Sequence, residues 1–224
     1  MRKVRQFGVI GLGRFGARVA TGLYARGAEI VAVDSDPIKV DAVKSEVTSA
    51  IRADATHRAA LEAIAMDQLD AVIVGIGRDV EASILVTALL REIGCDKIIA
   101  RAGSDLHADI LQRVGASGVV YPEDDVAMRL VRTLSSPRVV DLVELEGNVD
   151  FALVEMPRAF EGKTLRELAL RPKYGLTVVA IRRPGAAGEE PEVVIPGPDD
   201  ALQAGDRMYL VGNEEAFSRI DHLA

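Results

Sequence analysis

Val9-Ile10-Gly11-Leu12-Gly13-Arg14-Phe15-Gly16, answered by Asp34 eighteen residues after the last glycine, is the stretch on which the reading of this chain turns. Gln6 to Ile10 is a short apolar run, Gly13 to Arg26 has the apolar spacing of a helix, and Glu29 to Val33 is a second short apolar run. The order is strand, helix, strand. Gly11 permits a tight turn, Gly13 lets backbone amides approach a pyrophosphate, and Gly16 lets the helix pack closely on the strand, while the helix N-terminus adds partial positive charge. Asp34 closes the second strand, where a carboxylate accepts from both ribose hydroxyls and repels a 2′-phosphate. A glycine triplet alone also fits a purely structural turn. With strand, helix and acid in register it reads as the cleft of an adenine nucleotide.

Outward from this unit the alternation continues. Helical spacing at Ile38–Ser45, Ala59–Ile64, Glu81–Ile93, Asp105–Val114 and Glu123–Leu134 separates apolar runs at Ala50–Arg52, Ala71–Ile76, Lys97–Ala100 and Gly118–Tyr121. The runs are continuous rather than alternating, as in parallel strands buried on both faces. The fold class expected is α/β, a Rossmann-like doubly wound parallel sheet. After Ser135-Ser136-Pro137 the pattern changes to strands at Val139–Leu145, Val149–Glu155, Leu176–Arg182, Glu192–Ile195 and Arg207–Val211. Helices are expected at Leu165–Leu170 and Glu214–Leu223, with a hairpin loop at Pro184–Pro191. Residues 1–137 are therefore expected to form the nucleotide-binding domain and residues 138–224 a small α+β domain.

Composition narrows the function. The chain has 224 residues, 49% of them hydrophobic, which suffices for a core and excludes general disorder. Its formal net charge of −7 and low aromatic content of 4% argue against nucleic acid, which needs a basic face or stacking platforms. The single cysteine, Cys95, excludes an internal disulfide and suits a reducing, cytoplasmic setting. No uninterrupted apolar run is long enough to span a bilayer, so action at a membrane would need a partner to supply the span.

Candidate residues cluster at the expected strand ends. Arg14, inside the glycine loop, reads either as a forked donor to phosphate or as a solvated loop arginine. Asp54-Ala55-Thr56 follows the third strand as a turn over the adenosine or as a plain helix cap. Gly75, Ile76 and Gly77 end the fourth strand, and Arg101 the fifth, on the carboxyl edge. Glu123 opens a helix, where the dipole alone favours an acid and where a carboxylate could also hold a hard cation near phosphates. Catalytic groups are scarce. His57 is expected to open a helix, His107 to lie on a helix surface and His222 near the chain end, and Cys95 has no evident base. A small NAD-dependent oxidoreductase is the competing class, and the lack of a proton-transfer group weighs against it.

The segments GLGRFG (Gly11 to Gly16), AVDSD (Ala32 to Asp36), ADAT (Ala53 to Thr56), VGIG (Val74 to Gly77) and YPEDDVA (Tyr121 to Ala127) resemble the regulator-of-potassium-conductance (RCK, or KTN) family. FEGKTLRELAL (Phe160 to Leu170), KYGLTVVAIRR (Lys173 to Arg183) and PDDALQAGDRMYLVG (Pro198 to Gly212) resemble its C-terminal module, so the likeness runs through the whole chain. The resemblance implies a cytosolic regulatory subunit on the inner face of the membrane, assembled as dimers into an octameric ring beneath a membrane-embedded potassium-translocating partner. It implies ATP and ADP competing for the cleft, with NAD(H) the other candidate. Gly11, Gly13 and Gly16 would form the phosphate cradle. Asp34 would hold the ribose, Asp54, Ala55 and Thr56 would lie by the adenosine, and Phe15, Ser35 and Asp36 would be further positions of the nucleotide site. Arg14 would meet the terminal phosphate of ATP across a dimer interface, and Glu123 would sit at a Mg2+ or Na+ site. Arg171 is the matching basic position for cyclic di-AMP in the C-terminal module. Pro37 after Asp36 departs from the family's pattern.

Overall fold

The computed structural model describes residues 4–135, 138–145, 147–185 and 189–221. It divides the chain into two compact units, residues 1–125 and 126–224. The division falls within a helix, α6 (Pro122–Ser135), whose acidic first turn belongs to the first unit. Residues 136 and 137, where the sequence reading puts the domain boundary, lie outside the described residues.

In the first unit, strands β1 (Gln6–Ile10), β2 (Glu29–Asp34), β3 (Ser49–Arg52), β4 (Ala71–Val74), β5 (Ile98–Arg101) and β6 (Gly118–Val120) form one sheet in the order β3-β2-β1-β4-β5-β6. Every pairing is parallel. The connecting helices are α1 (Arg14–Tyr24), α2 (Pro37–Val43), α3 (Arg58–Ala63), α4 (Val80–Glu92) and α5 (Asp105–Arg113). Successive residues of a strand point to opposite faces, and the core follows suit. Val9, Ile30, Ala32 and Ile73 pack in one apolar cluster with Ala20 of α1 and Val40 and Val43 of α2. Ile10, Val33, Val72 and Val74 pack in another with Leu61, Val86, Leu90 and Leu111 of α3, α4 and α5. Helices thus cover both faces, the doubly wound arrangement expected from the continuous apolar strands. Chain order reverses between β1 and β4, so the crevice of the fold opens at the carboxyl ends of β1, β2 and β4.

The second unit contains β7 (Val139–Leu145), β8 (Val149–Glu155), β9 (Thr177–Arg183), β10 (Glu192–Val194) and β11 (Arg207–Gly212), an antiparallel sheet in the order β10-β9-β11-β8-β7. Short helices α7 (Leu165–Leu168) and α8 (Leu170–Tyr174) and the helix α9 (Glu214–Asp221) complete it, around Ala152, Val154, Leu176, Met208, Leu210 and Phe217. The single helix expected at Leu165–Leu170 is two, because Ala169 adopts a left-handed backbone with φ 49° that breaks the ladder. Thr164 starts α7 with a capping box closed by Glu167. Part of the Pro184–Pro191 loop and residues 222–224, His222 among them, lie outside the described residues.

One expectation is overturned. His107 is not on a helix surface but 3% exposed, with Nδ1 facing the Gly103 amide at 3.4 Å and Nε2 buried without a partner among the described residues. A nine-residue helix packed in a sheet layer has an inner stripe, and His107 falls on it with Ala108 and Leu111. Burial pushes the imidazole below its ordinary value of 6.5, so the folded chain binds this proton more weakly than the unfolded chain. The stability this histidine contributes is therefore fully present above pH 6.5 and is lost as pH falls below it. His107→Gln is expected to flatten the acid fall of the thermal midpoint, measured from about pH 7.5 to 5.5. A fall as steep as wild type would assign the acid sensitivity elsewhere.

Candidate nucleotide site

The site is built by three strand ends and the turns after them. Gly11 follows β1 at φ +89°, a conformation that favours glycine, and its amide donates to Val33 O at 2.8 Å. On the other side Gly75 donates to Ile10 O at 2.7 Å. The turn is thereby tied to both neighbouring strands. A Cβ on Gly16 would collide with the Gly11 carbonyl, so the helix can approach the turn only with glycine there. Gly13 differs: an added Cβ would meet nothing within 4 Å. Its lack of a side chain serves no contact within the chain and leaves the N-terminus of α1 open. That terminus has no side-chain cap and no acid in its first turn, so its amides and partial positive charge are unclaimed by side chains.

Asp34 ends β2 and is 8% exposed. Its Oδ2 accepts from the Leu12 amide at 2.7 Å and its Oδ1 from the Asp36 amide at 2.9 Å. A buried carboxylate thus links the glycine turn to the β2–α2 turn. Lys39 of α2 places its ammonium 3.3 Å from each carboxylate oxygen. Asp36 caps α2 by accepting from Ile38 N at 2.9 Å, and Ser35 is exposed beside it. Pro37, the departure noted above, occupies the first helical position, where its fixed φ and missing N–H cost nothing.

The other candidates separate into groups. Arg14 is exposed at the first position of α1, with no side-chain partner among the described residues, whereas Phe15 packs against the core. Asp54 accepts from both the amide and the hydroxyl of Thr56, at 3.0 and 2.6 Å, which holds its carboxyl below the usual value. The cap of α3 is His57 rather than Asp54 or Thr56, and Ala55 is buried in the core. β4 ends at Val74, two residues before the expected end, so Gly75, Ile76 and Gly77 form the turn after it. There Gly77 lies directly under the Arg101 guanidinium, which a Cβ would overlap. Arg101 reaches from the end of β5 over Gly77 to an ion pair with Glu123, and its buried Nε is without a partner among the described residues. Glu123 thus meets an arginine. Among the described residues no group of three His, Cys, Asp or Glu could by itself hold a metal ion. Arg171 belongs to the second unit, exposed on α8.

Two contributors escaped the sequence reading. The Leu12 amide is invisible to residue-type reasoning. Lys39 could have been found from its position five residues after the acid, one turn into the helix that the acid's own turn begins. Cys95 is 2% exposed with its thiol pushed up to about 11 by burial, and His57 is an exposed cap, so both occupy structural positions.

A six-stranded parallel sheet reversing at its first strand, with a glycine turn and a strand-end acid at the reversal, defines the Rossmann-type class of domain, here followed by a small antiparallel module. Residues 7–122 match the TrkA-N domain and residues 149–224 the TrkA-C domain. Ktr system potassium uptake protein C of Bacillus subtilis (strain 168) is 34% identical over 217 residues, covering 97% of this chain and 96% of the relative. Ktr system potassium uptake protein A of the same organism is 32% identical over 222 residues, 98% and 97% of the two chains. The chain belongs to the TrkA-N/TrkA-C family of potassium uptake proteins, as its resemblance to RCK proteins implied.

Among solved structures, the GsuK RCK domain has the same fold, with a TM-score of 0.63 at 17% identity over 99% of this chain and 48% of that one. The GsuK channel bound to NAD gives 0.53 at 25% identity over 99% of this chain and 38% of that one. GsuK bound to ADP gives 0.50 at 26% identity over 58% and 34%. The chain thus spans about half or less of these three solved chains. Among the described residues no helix is long and apolar enough to cross a membrane.

Proposed function

We propose that this chain is a nucleotide-switched regulatory subunit of a potassium uptake system, binding ATP and ADP in the crevice of its first unit and controlling flux through a membrane-embedded partner. The observation that carries this is the pairing of a buried strand-end carboxylate with an uncapped helix N-terminus left open at Gly13. Phosphate oxygens suit unclaimed helix amides, and ribose hydroxyls suit a carboxylate. Arg14, exposed and without a side-chain partner among the described residues, supplies a charge that a γ-phosphate, carried by ATP and absent from ADP, can engage. A ligand shifts a conformational equilibrium only through differential affinity, and one additional phosphate against one arginine is such a difference. The chemistry needed is binding alone.

The domain division follows from the same reading: residues 1–137 bind nucleotide, and residues 138–224 dimerise and sense a second ligand, with exposed Arg171 the position for a cyclic dinucleotide phosphate. Assembly into a ring is supported by the apolar side chains left exposed on α6, Val126, Met128, Leu130, Val131 and Leu134, and by Val80 and Leu85 on α4. The chain would act at the cytoplasmic face of the membrane through its partner. Glu123, paired with Arg101 in the chain itself, is the proposed position for a hard cation, Mg2+ or Na+, beside the nucleotide phosphates.

The test is a panel of ATP, ADP and NADH against thermal unfolding of the full chain. ATP and ADP are each expected to raise the midpoint in a concentration-dependent way, by mass action. A rise with NADH alone would overturn the ATP/ADP switch.

A further inference from the structure

Asp34 is saturated in the free chain, and the identity of its last partner points to a device within the site. An ionised carboxylate offers about four lone-pair positions. The Leu12 amide takes one on Oδ2 and the Asp36 amide one on Oδ1, both from fixed backbone. The two that remain face the Lys39 ammonium, which straddles the oxygens at 3.3 Å from each. A ribose offers adjacent 2′ and 3′ hydroxyls, and these need the same two positions.

We propose that Lys39 stands in for the ribose diol in the free chain and is displaced toward Asp36 when a nucleotide binds. The inference rests on the nucleotide reading above. Lys39 can leave, since its side chain is 44% exposed and its flexible stem moves the ammonium without a change of backbone. It also has a place to go. Asp36 spends Oδ1 on capping α2, while its Oδ2 lies 4.0 Å from the same ammonium. Asp36 therefore has two tasks, holding the helix that carries Lys39 and receiving the cation when Asp34 turns to the ribose. Lys39 becomes the residue that sets how much of the Asp34–ribose interaction appears as affinity, and it acts only on ligands that carry the diol.

The experiment titrates ATP and 2′,3′-dideoxy-ATP into the full-length wild type, Lys39→Met and Lys39→Arg by calorimetry, with circular dichroism confirming that each variant is folded. Lys39→Met removes the competitor and keeps the apolar stem, and is expected to bind ATP about two- to fivefold tighter, the upper part of the range of an exposed ion pair. Lys39→Arg is expected to stay near wild type, and dideoxy-ATP to be indifferent to Lys39→Met. ATP affinity unchanged or weakened in Lys39→Met would overturn the stand-in role, as would an equal gain for both ligands. Loss in Lys39→Met of binding to a 2′-phosphorylated dinucleotide that wild type binds would make Lys39 a reader of that phosphate and also overturn it. Absence of ATP binding by the wild type would instead overturn the nucleotide reading itself, and the stand-in with it.

Discussion

Asp34→Ala is expected to weaken ATP and ADP together, by about 1–3 kcal/mol or roughly five- to 150-fold, through loss of charge-assisted hydrogen bonds to the ribose. The same substitution removes the acceptor of the Leu12 amide, which lies in a buried setting. A buried amide without an acceptor costs about 1–3 kcal/mol, so the thermal midpoint is expected to fall as well. Asp34→Asn separates the two effects. Its one side-chain oxygen can still accept from Leu12, while its NH2 then faces the Asp36 amide, so part of the stability should return, whereas the negative charge facing the diol does not. Calorimetric titration of ATP and ADP into both variants, each checked for folding, measures this directly. Wild-type affinity in folded Asp34→Asn would show that the carboxylate is a structural tie between two turns and no part of a ribose site.

Arg14→Ala is expected to weaken ATP by a similar amount, about five- to 150-fold, with little change for ADP. In the proposed site the glycine-turn amides serve the phosphates both ligands share, whereas Arg14 is exposed at the helix mouth, without a side-chain partner among the described residues. Its removal leaves no buried group unsatisfied, so stability should hold, which makes this the cleaner of the two substitutions. If the ATP state depends on this contact, ATP should no longer give the variant a small-angle scattering curve different from that with ADP. Equal weakening of ATP and ADP would place Arg14 at the shared phosphates and remove the proposed source of switching.

The parallel sheet was legible because its signals are local: apolar runs of strand length, helical spacing between them, and a glycine turn whose residues need special backbone or close approach. Gly11 with its positive φ and Gly16 against the Gly11 carbonyl have those roles. Less legible was anything decided by packing. His107 looked like a surface residue because a polar side chain on a short amphipathic helix usually faces water, yet the inner stripe of α5 passes through it. Ala169 gives no sign in sequence that it breaks a helix with a left-handed turn. Glu123 could be placed at a helix start by its neighbours, but its pairing with Arg101 depends on β5 and β6 lying side by side, which only the folded sheet brings about. The buried acid at the end of β2, Asp34, was found from register alone, while the Leu12 amide and Lys39, which complete its surroundings, were not.

The most direct test of the nucleotide switch is potassium flux into vesicles that contain a Ktr-type membrane subunit, with this chain added outside in the presence of ATP or of ADP. The expected result is a flux that differs between the two nucleotides with wild-type chain, and a difference that disappears with Arg14→Ala. Equal flux with ATP and ADP, from chain shown to bind both, would contradict the switch.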